Sequence, residues 1–166
     1  MFAITLILFG ITIFLNGFIP IYKWDKRNLG VINTIVGVII IIMSIQGIIS
    51  STVLGDNLLY FGSLLFGLTN LYLASGIFLN INCKSFGVFC MFCLISAFCL
   101  SCYYIWNGAT LLGTLWLIWS TLWAFAFIGF ACDKDFMIGT YVMFVIQGLF
   151  ALFGIGLLIL FQVLLV

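Results

Sequence analysis

Apolar runs of about 20 residues, the length at which a helix crosses a bilayer, recur along the whole chain. Each run ends at a short group of charged or turn residues. Only 5% of the residues are charged and the mean hydropathy is +1.43, far outside the range of soluble domains. The chain is therefore predicted to be an integral membrane protein.

The charged and turn residues divide the sequence into six predicted transmembrane helices, at roughly 1–22, 30–50, 58–79, 86–104, 111–131 and 137–165. The first charges follow the first apolar run, so this run is predicted to be a retained helix and not a cleaved signal. Short connectors force neighbouring helices into antiparallel hairpins. We therefore expect an all-α membrane fold in which residues 1–166 form a single domain.

The basic residues predict the orientation of the chain in the membrane. All five lie in the first, third and fifth connectors: Lys23, Lys26, Arg27, Lys84 and Lys134. The positive-inside rule places these connectors in the cytoplasm and both termini outside. Trp24 and Trp106, beside connectors, fit the aromatic belt at a membrane interface.

The predicted helices contain no charge, which excludes several classes of protein. Proton-coupled carriers and pumps normally need a carboxylate or histidine within the membrane, and the sequence has no histidine and no glutamate. The hydroxyl groups present lack a base to activate them, so no enzymatic activity is predicted. No extended basic cluster exists to bind nucleic acid.

Two Cys-x-x-Cys pairs, Cys90/Cys93 and Cys99/Cys102, suggest a metal site at first sight. At about 100° per residue, the two pairs point to opposite sides of one helix. The usual histidine partner of zinc is also missing. We predict that the cysteines are small packing residues and that the protein has no metal and no cofactor.

Uncharged amides and hydroxyls remain in the predicted helices. An unpaired amide in hydrocarbon costs roughly 2–7 kcal/mol, so each is expected to face the bundle interior or water. Hydrogen bonding between helices explains any single one. Together they indicate a path for a neutral polar solute. They are Asn16, Asn33, Thr34, Gln46, Thr69, Asn70, Ser120, Thr121, Gln147 and Gln162.

The stretch LWLIWSTLW carries three tryptophans, Trp116, Trp119 and Trp123, within an arc of about 60° on a helix. Trp119 and Trp123 lie near the middle of the fifth span, too deep for an interfacial belt. Two interpretations remain. The indoles either pack the core, or form one wall of a slot that removes water from a small planar molecule.

The third predicted helix can supply the opposing wall. Phe66, Thr69 and Asn70 share one face, whereas Tyr72 turns away from Phe66. A wall of this kind is narrow and uncharged. Such a constriction admits urea or a short amide and resists ions, because it cannot offset the loss of their hydration.

Three segments resemble the AmiS/UreI family of urea and short-chain amide channels of bacterial cytoplasmic membranes. They are FLNGFIPIYKWDKRNLGVINTIVGV (14–38), LLFGLTNLYLASG (64–76) and WLIWSTLWAFAFI (116–128). The resemblance extends over all six predicted helices in order. It implies six-helix protomers with outward termini, each with its own pore, assembled as a homo-hexameric ring in the lipid bilayer.

The resemblance also implies pore-lining positions: Leu6, Ile13 and Asn16 of the first helix, Phe66 and Thr69 of the third, and Trp116, Trp119 and Trp123 of the fifth. The sequence departs from the urea channel at two further positions on the expected path. Asn70 stands where that channel has a tyrosine, and Gln147 where it has a membrane glutamate. These changes leave urea and a small amide as alternative permeants.

The resemblance bears on gating as well. The acid-opened member of the family uses histidines and carboxylates in long outer loops. Here the outer loops are short, Asp56 is their only charge and the chain has no histidine. We therefore predict a passive channel without histidine-based acid gating. The alternatives are a non-conducting membrane scaffold or assembly subunit, and a small-solute carrier.

Overall fold

The computed structural model describes residues 1–18, 25–80, 84–132 and 136–161. Its helices are α1 (Phe2–Gly17), α2 (Lys26–Ser50), α3 (Leu54–Leu79), α4 (Lys84–Trp106), α5 (Thr110–Cys132) and α6 (Met137–Leu160). Over these described ranges, α2 to α6 are long and apolar enough to cross a membrane, whereas α1 is shorter. The prediction of an all-helical membrane fold is confirmed.

Two helices begin earlier in their connectors than predicted. α2 begins at Lys26 and not near residue 30, because the Asp25 carboxylate accepts a hydrogen bond from the Arg27 backbone N–H at 2.9 Å. α3 begins at Leu54 and not near residue 58. Asp56 therefore lies in the first turn of α3, where a carboxylate interacts favourably with the helix dipole.

α1 ends at Gly17, short of the predicted end near residue 22. The predicted belt residue Trp24 lies outside the described residues, as do Lys23, Lys134 and Gln162. Trp106, the other predicted belt residue, is 92% exposed at the end of α4.

The last two helices contain π-helical segments that were not predicted. α5 becomes π-helical over Ile128–Cys132, and α6 is π-helical over Gln147–Gly154. The hydrophobic pattern of these segments is nearly uniform, so periodicity gives no signal for the wider turn. Such segments occur frequently at functional sites, and the one in α6 packs along α1.

The helices pack most extensively in three pairs: α2 with α3, α4 with α5, and α1 with α6. Glycines bring the backbones of α1 and α6 together. A Cβ built on Gly148 would lie 2.5 Å from the Phe14 backbone nitrogen, and one on Gly10 would lie 2.5 Å from the Phe153 backbone nitrogen. Small residues of this kind allow close approach of membrane helices.

Gly148→Ala is therefore expected to lower the thermal unfolding midpoint in detergent. The added methyl group requires the backbones of α1 and α6 to separate, and overpacking of this kind typically costs ~1–3 kcal/mol. The matched control is Gly139→Ala in the same helix, where a Cβ would meet the Phe136 ring at an ordinary 3.5 Å. Tryptophan fluorescence monitors unfolding of both variants. Equal unfolding midpoints for Gly148→Ala and Gly139→Ala would contradict the close α1–α6 contact.

Most of the neutral polar residues face the interior, as predicted. The buried ones are Asn16, Asn33, Thr69, Asn70, Ser120 and Gln147. Gln46 and Thr121 do not face the interior, and both are exposed in the protomer. Gln46 lies one turn from the end of α2, and the Thr121 hydroxyl donates to the Ile118 carbonyl at 2.7 Å, which satisfies its hydrogen without burial.

The two cysteine pairs of α4 face different directions, as their spacing predicts. Cys90 and Cys93 are buried, whereas Cys99 and Cys102 are exposed. Over the described ranges, no group of three or more His, Cys, Asp or Glu side chains converges on one point.

Candidate functional site

The three tryptophans of α5 face the interior of the bundle, where they surround one phenylalanine. Trp116, Trp119 and Trp123 are at most 1% exposed. Trp116 and Trp123 stack on Phe66 of α3, with ring centroids 5.7 and 5.2 Å apart, and Trp119 meets Phe66 edge to face at 5.9 Å. The predicted facing walls of α3 and α5 are thus in direct contact.

Phe9 of α1 completes this group, although it was not predicted. Its ring stacks on Phe66 with centroids 4.4 Å apart. Phe9 lies three residues after Leu6 and four before Ile13, and all three side chains are fully buried. That helical spacing was the available signal. We call Phe9, Phe66, Trp116, Trp119 and Trp123 the aromatic cluster.

The aromatic cluster is closed in this conformation. Its rings around Phe66 are 4.4 to 5.9 Å apart between centroids, the separation of aromatic rings in direct contact. No solute fits between rings at this distance. A molecule can therefore cross the cluster only when at least one ring moves.

The indole N–H groups of the cluster differ in their partners. Trp119 donates to the Ala151 carbonyl in the π-helical segment of α6 at 2.8 Å, and Trp123 donates to the Thr69 hydroxyl at 3.1 Å. Trp116 Nε1 is buried without a partner among the described residues. Because a buried indole N–H normally has an acceptor, Trp116 differs from the other two indoles in having an unused donor within the described ranges.

Thr69 holds Trp123 in place and has no hydrogen to spare. Its hydroxyl donates to the Leu65 carbonyl at 2.7 Å while its oxygen accepts from Trp123. Thr69 therefore contributes an oxygen to this site and not a second free donor.

Asn70 provides that second donor one helical turn after Phe66. The side chain is fully buried, and its oxygen lies 3.0 Å from the Thr12 hydroxyl of α1. Its nitrogen has no partner in the described part of the chain. Thr12 was not predicted, since a threonine in a helix often bonds only to its own backbone. Here the single hydrogen of Thr12 is shared between the Phe9 carbonyl, at 2.9 Å, and the Asn70 oxygen.

A cavity of about 210 Å³ opens at one end of the bundle. Each of the six helices, or the residues just after it, contributes to the wall: Asn16, Lys26, Leu73, Ser85, Phe130 and Tyr141 are among the lining residues. We call it the connector cavity, because Lys26, Asn80 and Ser85, at the described edges of the first and third connectors, line it. Among the residues that the structure describes, its wall carries one charged residue, Lys26.

Asn16 connects the predicted pathway to the connector cavity. It lies one turn after Thr12 on α1 and lines the cavity, yet it is only 2% exposed. Its amide pairs with that of Asn33 on α2 through two hydrogen bonds of 2.9 Å.

Gln147 is not brought to the aromatic cluster. Its amide nitrogen donates to the Thr121 hydroxyl at 2.6 Å and to the Ile118 carbonyl at 3.0 Å. Thr121 points about 200° away from Trp119 around α5, on the other side of that helix. The Gln147 oxygen is buried and has no partner over the described ranges.

Tyr72 also lies outside the cluster, as the spacing predicts. Its ring packs against Phe86 and Phe89 of α4, at centroid distances of 5.7 and 5.3 Å. It lines the connector cavity instead.

The helical bundle, its uncharged interior and its buried free donors define a multi-pass membrane transport protein. The family model described as AmiS/UreI family transporter matches residues 1–163. The chain belongs to the AmiS/UreI family, which confirms the predicted family and the membrane localisation. Members of this family are transporters and not enzymes.

Two solved structures of the Helicobacter pylori urea channel share the fold. The cryoEM structure of its closed state has a TM-score of 0.87, with 22% sequence identity over 98% of each chain. The crystal structure has a TM-score of 0.83, again with 22% identity over 98% of each chain. No curated protein matches the chain significantly. This likeness establishes the fold.

Proposed function

We propose that the protein is a passive channel for urea or a small aliphatic amide in a bacterial plasma membrane. The observation that carries this proposal is the pair of buried, unpartnered donors, Trp116 Nε1 and Asn70 Nδ2, beside an uncharged aromatic cluster. A carbonyl oxygen satisfies such donors, and a planar amide group stacks on a flat ring once a neighbouring ring moves aside. The fold shared with a protein described as a urea channel supports urea as one permeant.

The proposed path follows the buried face of α1 and passes through the aromatic cluster into the connector cavity. Its lining residues are Leu6, Phe9, Ile13, Asn16, Phe66, Thr69, Asn70, Trp116, Trp119 and Trp123. Gln147 is proposed to stabilise the position of α5 without lining the path. Its amide and the Trp119 indole both form hydrogen bonds between α5 and the π-helical segment of α6.

We further propose that the single domain has both termini outside and assembles as a homo-hexamer with one pore in each protomer. Lys26, Arg27 and Lys84 lie at the end of the bundle with the connector cavity, which supports a cytoplasmic position for that end. Exposed apolar side chains such as Ile42 and Phe92, each 60% exposed, require lipid or a neighbouring protomer to cover them.

Stopped-flow volume change of proteoliposomes separates this proposal from its two alternatives. A channel gives an initial solute flux that rises linearly with the urea, formamide or acetamide gradient. A small-solute carrier gives a flux that saturates. A non-conducting scaffold gives the rate of protein-free liposomes, and either of the last two results refutes the proposal.

The proposed channel is expected to conduct equally at pH 5 and pH 7.5. Histidine is the residue whose ordinary pKa lies in this range, and the sequence has none. The measurement is urea flux into proteoliposomes with the same pH on both sides, with protein-free liposomes as the control at each pH. A steep rise in protein-dependent flux at pH 5 would contradict the absence of acid gating.

A further inference from the structure

Asn16 and Asn33 form a cyclic pair of side-chain amides where α1 and α2 meet near the connector cavity. Each amide nitrogen donates to the other's oxygen at 2.9 Å. Asn33 also donates to the Leu29 carbonyl of its own helix at 2.8 Å. Both side chains are buried, Asn33 at 1% exposure and Asn16 at 2%.

The available hydrogens give the pair a direction. A primary amide nitrogen carries two hydrogens, and Asn33 uses both, one on Leu29 and one on Asn16. A carbonyl only accepts, so the Leu29 bond determines which end of the Asn33 amide carries the nitrogen. The reciprocal bonds then determine the orientation of Asn16 in turn.

Asn16 uses only one of its two hydrogens in this pair. The other points away from Asn33, and Asn16 is the member of the pair that lines the connector cavity. An unconstrained amide can exchange its oxygen and nitrogen by rotation and present an acceptor instead. The bond to Asn33 opposes that exchange.

We infer that Asn33 is a positioning residue that holds the second Asn16 N–H, which has no partner among the described residues, toward the connector cavity as a donor for the carbonyl oxygen of the permeant. This inference rests on the proposed channel function. The solutes concerned are those of the proposed function, ureas and primary amides, which carry a strong acceptor oxygen. Thio analogues of the same shape are disfavoured, because sulfur is a weak acceptor.

The test compares urea and thiourea permeability in proteoliposomes of the full chain. Asn33→Leu keeps the approximate size of the side chain and removes every hydrogen bond that orients Asn16. The urea-to-thiourea permeability ratio is expected to fall about fivefold, the factor for one hydrogen bond of ~1 kcal/mol. Thr34→Val is the matched control, because within the described ranges the Thr34 hydroxyl bonds only to the Gly30 carbonyl of its own helix.

The same substitution made in an Asn16→Leu protein distinguishes a positioning role of Asn33 from a packing role. If Asn33 acts through Asn16, the same Asn33→Leu change leaves the ratio unchanged in a protein that already carries Asn16→Leu. An equal fall in both backgrounds, or an unchanged ratio in an assembled Asn33→Leu protein, overturns the inference. Should Asn33→Leu not assemble, Asn33→Ala takes its place with the same expected fall.

The controls separate this inference from the proposed function. Wild-type protein that conducts neither urea nor acetamide refutes both. Wild-type protein that conducts urea, with a ratio insensitive to Asn33, refutes the positioning role alone.

Discussion

Trp123→Ala is expected to admit solutes that the wild-type protein excludes. The change removes a ring that stacks on Phe66 at 5.2 Å and the N–H that binds Thr69. The narrowest part of the proposed path then loses one wall. The permeability of N,N′-dimethylurea relative to urea is expected to rise at least tenfold, which corresponds to ~1.4 kcal/mol. Stopped-flow volume change of proteoliposomes measures both solutes.

Trp106→Ala is the matched control for this variant. Trp106 is 92% exposed at the end of α4, so the same chemical change occurs away from the aromatic cluster. A buried Trp→Ala change costs ~3–5 kcal/mol of stability. Trp123→Leu is therefore measured alongside Trp123→Ala, because leucine also removes the aromatic ring but leaves a smaller cavity. Assembled Trp123 variants with wild-type selectivity would refute the aromatic cluster as the barrier.

Gly62→Ala is expected to lower urea permeability about tenfold or more. A Cβ at Gly62 would overlap the Trp116 ring and lie 3.1 Å from Leu100, so the indole must move. Phe66 lies against the same indole at 5.7 Å between centroids. The added methyl group therefore restricts the ring motion that passage requires, and a cost of ~1.4 kcal/mol in that motion gives a tenfold effect.

Gly55→Ala provides the matched control in the same helix. The nearest atom to a Cβ there is the Tyr103 hydroxyl at 4.0 Å, which leaves room for a methyl group. Both variants are compared with wild type for solute flux and for elution volume in detergent. Wild-type flux through an assembled Gly62→Ala protein would show that solute passage does not require the space beside Gly62 for motion of the Trp116 ring.

The buried face of α5 was predictable because its residues follow one helical period. Trp116, Trp119 and Trp123 lie in one narrow arc, and Trp119 and Trp123 lie too deep in the span for an interfacial belt. The contact with Phe66 was a hypothesis from the shared face of Phe66, Thr69 and Asn70, and the family resemblance, not the spacing, assigned Phe66 to the same pore. The structure confirms both the burial of the stripe and the contact with α3.

Other parts of the site were not predictable from residue type and spacing. Phe9 is one phenylalanine among 19 in the chain, and composition does not distinguish a ring that faces Phe66 from one that faces lipid. The orientation of Gln147 depends on the π-helical segment that begins there. A wider helical turn rotates every later side chain around the helix. The α-helical period therefore cannot predict which side of α5 the Gln147 side chain contacts.

The pairing of polar groups falls between these cases. Burial of Asn16, Asn33 and Asn70 was expected from the cost of exposing an amide to hydrocarbon. The sequence does not show which of these amides keeps an unused hydrogen-bonding atom. That depends on the partners that α1 and α2 supply, because hydrogen-bond pairing is determined by tertiary contacts. Thr12 satisfies one end of Asn70 and leaves the other, whereas Asn33 is fully paired.

The most direct test of the channel proposal is the initial rate of urea entry into proteoliposomes of the wild-type protein, measured by stopped-flow light scattering at pH 7.5. The proposed passive path predicts a protein-dependent rate that exceeds that of protein-free liposomes and rises linearly with the urea gradient. The same linear rise with acetamide would identify a small amide as a second permeant. A rate equal to that of protein-free liposomes for urea, formamide and acetamide alike would contradict the account.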